Sequence, residues 1–209
     1  MKIALNKELS RRSDLRGILL LALFTITAGI VFHALWQPGT VLFTSDDNLG
    51  LISAVRRMAQ SSLLANWTSE VLWGMPGVSG LHFWALVIRL LPPAIFMNVY
   101  HGFCLVFAAW FLALYLRDKG LRVAICTFGG LVAFWVGTNL TLTYSGHIGK
   151  YGAMMFLSLS IFALGRWGKT GRAAWSVLAG SAAGAMFLEQ ADVAPVSYTH
   201  LTLPTNREV

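Results

Sequence analysis

Positions 94–116 read AIFMNVYHGFCLVFAAWFLALYL, 23 residues without an Asp, Glu, Lys or Arg. As a helix this run is about 34 Å long, and a bilayer core is roughly 30 Å thick. Arg117, Lys119 and Arg122 follow, and then the chain is apolar again from Val123 to about Leu142. A cationic turn between two apolar runs of this length predicts a pair of membrane helices, with the turn on the cytoplasmic side.

The same alternation holds on both sides of this pair. Lys2, Lys7, Arg11, Arg12 and Arg16 precede an apolar segment over 17–36, which ends at Trp36, an aromatic anchor for the far interface. No small-x-small cleavage site follows that segment, so it reads as an uncleaved signal anchor with residues 1–16 in the cytoplasm. Further apolar segments lie over 151–165 and 173–188, separated by Arg166, Lys169 and Arg172. The last is rich in Gly and Ala, which lets helices approach closely in lipid. The expected fold class is therefore all-α: a polytopic transmembrane helix bundle of about five spans, 17–36, 94–116, 123–142, 151–165 and 173–188.

Composition agrees. Hydrophobic residues make up 56% of the chain and charged residues only 12%, with a mean hydropathy of +0.63. Soluble domains carry about a quarter charged residues, so there is too little polar surface here to coat a globule. The net charge of +7 comes from bases at the ends of apolar segments, not from a basic face, which argues against nucleic acid as a partner and for membrane lipids. Cys104 and Cys126 lie inside apolar segments, form no zinc or redox spacing, and read as buried thiols.

Between the first two spans lies a long outer loop, 37–93. Within it Asp47 to Gln60 has helical periodicity, with Leu49, Ile52, Val55 and Ala59 on one face and Arg56, Arg57 and Gln60 away from it, as in a short interfacial helix. Trp73 to Gly77 is a turn cluster. Leu81 to Leu91 is apolar but too short to span, ends at Pro92-Pro93, and reads as interfacial or re-entrant.

Chemistry-bearing residues are few. The adjacent acids Asp46 and Asp47 follow the first span. A carboxylate pair can bind a divalent cation (Mg or Mn), and one of the two can act as a general base toward a hydroxyl. The same acids also suit a helix start, where they cap free N–H groups. His147 and Lys150, beside Gly146 and Gly149, can grip a phosphate, or form a plain outer turn whose lysine snorkels to head groups. Arg56 and Arg57 face a lipid phosphate or are surface charges. Glu189 and Asp192 supply further ligands or end a helix in water. His33 and His101, inside spans, read as packed or hydrogen-bonded within the bundle. No Walker loop, HExxH, Ser-His-Asp order or dinucleotide fingerprint is present.

Three strings, Thr44-Ser45-Asp46-Asp47-Asn48, Trp73-Gly74-Met75-Pro76-Gly77 and Ser145-Gly146-His147-Ile148-Gly149-Lys150, with the order of segments around them, resemble the multi-spanning glycosyltransferases of the GT-C class, in particular the YfhO-like bacterial membrane proteins. The resemblance runs over about residues 10–194. It implies a bacterial inner-membrane enzyme that takes a sugar from a polyprenyl-phosphate carrier at the outer face. Asp46 or Asp47 would be the catalytic or metal-linked acid, and His147 and Lys150 would contact the carrier phosphate. A transporter, a lipid-handling protein or a structural subunit is the competing expectation. The last fourteen residues, 196–209, resemble translated sequencing-adapter read-through, which implies a natural chain continuing past Pro195.

Overall fold

The computed structural model describes residues 2–61, 67–68, 75–76 and 81–190. Helix α1 (Lys2–Val31) is followed by a 3-10 turn (His33–Trp36), then α2 (Leu49–Ser61), and a two-residue antiparallel pairing of β1 (Trp67–Thr68) with β2 (Met75–Pro76). Next come α3 (Phe83–Leu90), α4 (Pro93–Asp118), α5 (Val123–Phe134), α6 (Gly137–Ser145), α7 (Ile148–Thr170) and α8 (Ala173–Glu189). Apart from that pairing, the regular structure of the described residues is helical. The acid Asp192 and the segment 196–209 lie outside the described residues.

Among the described residues two helices, α4 and α7, are long and apolar enough to cross a membrane, and the bent pair α5–α6 makes a third if it is one span. The apolar part of α1, Leu15–Val31, and α8 fall short of that length. Several bounds differ from the sequence expectation. Helix α1 begins well before residue 17 and gives way at Phe32 to the 3-10 turn, so Trp36 is not on its axis. The expected span 151–165 is longer, because α7 takes in Ile148 and runs on through Arg166 and Lys169, ending at Gly171 in the left-handed conformation. The cationic turn there is reduced to Gly171 and Arg172.

The expected span 123–142 is broken between Phe134 and Gly137, with a bend of 40°. No proline marks this break. Asn139 donates to the carbonyls of Phe134 (3.2 Å) and Ala133 (3.4 Å), which the break leaves free, and the Tyr151 hydroxyl donates to the Asn139 carbonyl (2.5 Å), tying α6 to α7. Backbone carbonyls left without helical partners and buried away from water need such donors.

Helix α4 is the centre of the bundle, packed on α1, α5 and α7, and α7 in turn packs on α8. Phe96, Met97, Leu105, Ala108 and Ala109 of α4 are wholly buried, as are the two free thiols' positions and His101, as expected of packed residues. Gly130 lets α5 cross closely, since a Cβ there would lie 2.7 Å from the Phe24 ring and 3.0 Å from the Ala109 carbonyl. Outward-facing Ile26, Ile30, Phe128 and Val177 are exposed, as suits a protein solvated by lipid. In α8 the close packing falls to Ala179 and Ala182, whereas Gly180 and Gly184 face open space.

Asn98 of α4 ties the start of the loop after α1 to the bundle. Its amide donates to the carbonyls of Leu35 (2.8 Å) and Thr40 (2.9 Å), and its Oδ1 accepts from the Leu42 N–H (2.8 Å). The loop is thus led back across the end of the bundle, which places Thr44 to Asn48 against the α6–α7 turn.

Candidate functional site

Two of the three strings singled out in the sequence meet. The Ser45 N–H donates to the Tyr144 carbonyl (3.3 Å), the Asp46 N–H to the Ser145 carbonyl (3.0 Å), and the Ser45 hydroxyl to the same Ser145 carbonyl (3.1 Å). Gly146 makes the junction possible. It ends α6 at φ +85°, a conformation that only glycine adopts without strain, and a Cβ there would lie 2.8 Å from the Asp47 nitrogen and 2.9 Å from the Thr44 Cβ. Thr44 is buried beneath this turn and donates its hydroxyl to the Asp47 carbonyl (2.8 Å).

The two acids have different surroundings. Asp47 Oδ2 accepts the Ile148 N–H at 3.0 Å and so caps the positive end of α7. Burial pushes the Asp47 carboxyl up from its ordinary value of 3.8, against the opposing pull of the Ile148 N–H and of His147. Asp46 is more exposed, and its Oδ2 stands 3.7 Å from His147 Nδ1. The helix that the acids seemed placed to open, α2, is capped by Asn48, whose Oδ1 accepts the Leu51 N–H at 3.0 Å. The capping chemistry read from the sequence is right for Asp47, but the helix it serves begins 101 residues later.

Because burial costs the Asp47 charge more than the cap rewards it, the folded chain holds the Asp47 proton more tightly than the unfolded chain does. That contribution to stability is fully present below the unfolded value near 3.8 and fades as pH rises through the raised folded value. Asp47→Asn keeps an acceptor without the charge and is expected to change stability at pH 7 by less than about 0.5 kcal/mol. Asp47→Ala loses the cap and should cost about 1 kcal/mol. Thermal unfolding in detergent micelles checks the pair, with Asn falling below Ala as the contrary result.

Lys150 sits in the first turn of α7, adjoining the junction. Arg56 and Arg57 lie two turns along α2, which packs on α3 and α4, and no interaction joins them to Asp46, Asp47 or His147 among the described residues. Arg56 is half-buried, with its Nε buried, and Arg57 is exposed. The space beside Gly149, read from the sequence as room for a phosphate, is filled: a Cβ there would fall on the Glu189 carbonyl and the Gln190 side chain.

Glu189 is the largest departure from the sequence reading. Expected to emerge into water, it is 4% exposed. Its Oε1 accepts the N–H groups of Phe83 and Trp84 (the latter at 3.3 Å), and its Oε2 accepts the Tyr100 hydroxyl at 3.0 Å. It thereby caps α3, whose own N-cap residue His82 makes no side-chain cap bond. Gly152 leaves room for the carboxylate. A Gly-x-x-Gly spacing at 149 and 152 places both glycines on one helix face, and this was the one signal in the sequence that something must approach α7 there.

Comparison of the chain with protein families, with curated proteins and with solved structures returns no match.

Proposed function

We propose that this chain is the N-terminal part of a multi-pass glycosyltransferase of the bacterial inner membrane, crossing it about five times with its N-terminus in the cytoplasm. In this reading it moves a sugar from a polyprenyl-phosphate donor to an acceptor hydroxyl at the outer face. The observation that supports it is the junction of the acid-bearing loop with the α6–α7 turn, where the exposed Asp46 stands 3.7 Å from His147 at one end of the bundle.

Asp46, free of the capping duty that occupies Asp47, is the proposed base. The acceptor oxygen forms a bond to the anomeric carbon and gives its proton to Asp46. The bond from that carbon to the phosphate oxygen breaks, and the phosphate leaves with the electron pair. His147 orients the Asp46 carboxylate, and with Lys150 contacts the donor phosphate. Arg56 and Arg57 serve the lipid interface. If Mg or Mn takes part, Asp46 and the uncommitted oxygen of Asp47 would hold it, and it would supply charge for the departing phosphate. Among the described residues no group of three His, Cys, Asp or Glu side chains gathers that could hold an ion.

Asp46→Asn is expected to lower transfer from a polyprenyl-phosphate sugar, assayed in membranes carrying the protein, by about a hundred-fold or more, the usual scale for loss of a general base. Full transfer by the Asp46→Asn, His147→Gln double variant would refute the reading.

One observation favours a second reading, transport or lipid handling without bond chemistry: the break between α5 and α6, since discontinuous helices line the substrate sites of many transporters. Ion-gradient-dependent flux in proteoliposomes, abolished by Asn139→Leu, is its expected result.

A further inference from the structure

At the other end of the bundle, where α4 and α7 finish, a cavity of about 410 Å³ is lined by Tyr115, Asp118, Lys119, Leu164, Gly165, Gly168 and Lys169. We infer that this cavity between the C-terminal ends of α4 and α7 binds the phosphate head group of an anionic phospholipid, held by Lys119 and Lys169.

Charge is the first support. The one acid on the wall, Asp118, is already neutralised, because its Oδ2 lies 2.5 Å from Arg166 Nε. Arg166 is itself held against the rings of Phe162 and Trp175 at 5.5 and 5.8 Å. The two lysines therefore leave the cavity with a net charge of about +2. Neither ammonium is committed to an anion in the contacts it makes: Lys169 Nζ is 3.5 Å from the Asp118 carbonyl, and Lys119 Nζ lies 5.2 Å from the Tyr115 ring centroid.

Shape is the second. Gly165 brings α7 close to α4, since a Cβ there would lie 2.8 Å from the Tyr115 ring, whereas a Cβ at Gly168 would meet nothing within 4 Å. The helices thus touch at Gly165 and part at Gly168, which leaves a cleft open on its flank. Leu164, exposed on that flank, offers apolar surface for the start of an acyl chain. Both helices are long and apolar enough to cross a bilayer, so their ends lie at head-group depth. Basic pockets between membrane helices are suited to anionic head groups, and each nearby Lys contributes enough to be felt separately.

A bare snorkelling role for the lysines is the competing account, and it predicts no dependence on the shape of the cleft. The test is retention of lipid by the purified full chain in detergent, read by native mass spectrometry during titration with phosphatidylglycerol, phosphatidylcholine or inorganic phosphate. The expected result is binding of phosphatidylglycerol over phosphatidylcholine, weakened about thirty-fold by Lys119→Gln with Lys169→Gln. Gly168→Leu, which narrows the cleft, keeps both charges and places its Cβ where it meets nothing within 4 Å, should weaken it at least ten-fold. Equal binding of the two lipids, or unchanged binding by Gly168→Leu, overturns the inference. Displacement of the lipid by millimolar inorganic phosphate would show a site for free phosphate and overturn the lipid assignment.

Discussion

Glu189→Ala should destabilise the folded chain by about 3 kcal/mol or more. The substitution strips the acceptor from three donors at once, the N–H groups of Phe83 and Trp84 and the Tyr100 hydroxyl. Each buried donor left without a partner costs about 1–3 kcal/mol. The loss also empties the space that Gly152 keeps open on α7, adding a cavity term. Because the carboxylate links the end of α8 to α3 and α4, the damage extends beyond one helix. Glu189→Gln retains one acceptor oxygen and the side-chain volume, and should lose less than half as much. Denaturant or thermal unfolding in micelles measures both. An alanine variant as stable as the glutamine variant would mean that the carboxylate does not cap α3.

Gly146→Val is the second large effect, about 3 kcal/mol. A β-branched residue at φ +85° carries a backbone penalty of about 1–3 kcal/mol. Its Cβ would also meet the Asp47 nitrogen at 2.8 Å, a backbone atom already fixed by the docked loop, and forcing atoms into a packed position costs about 1–3 kcal/mol more. The relief available is to lift the loop over 44–47 from the α6–α7 turn. A cysteine pair introduced at 45 and 145 should oxidise with Gly146 in place and should fail to do so in the Gly146→Val chain. Gly146→Val with parental stability and cross-linking would mean that the junction does not rest on this turn.

Much of the bundle is visible in the sequence because an apolar run is a local property. Helices α4 and α7 follow from such runs, which end at Arg117 and Arg166. The break between α5 and α6 is not visible, because Trp135-Val136-Gly137 contains no proline and the break is held by Asn139 and by Tyr151 from another helix. Asp47 illustrates the same limit for the site. Its chemistry as a cap follows from its type, but nothing near it in the chain announces Ile148. A carboxylate at the end of an apolar run, like Glu189, looks like an exit into water until its partner Tyr100, 89 residues earlier, is brought beside it. The pairing of His147 with Asp46 was within reach as two candidates, but their adjacency belongs to the tertiary fold.

Sided labelling of single cysteines in intact cells tests most directly whether the acid loop and the α6–α7 turn share one end of the bundle, opposite the lysine cleft. Membrane-impermeant maleimide should modify cysteine substituted for Asp46 and for His147, and should spare cysteine substituted for Lys169 until the membrane is opened. Modification of positions 46 and 169 from the same side would contradict the account.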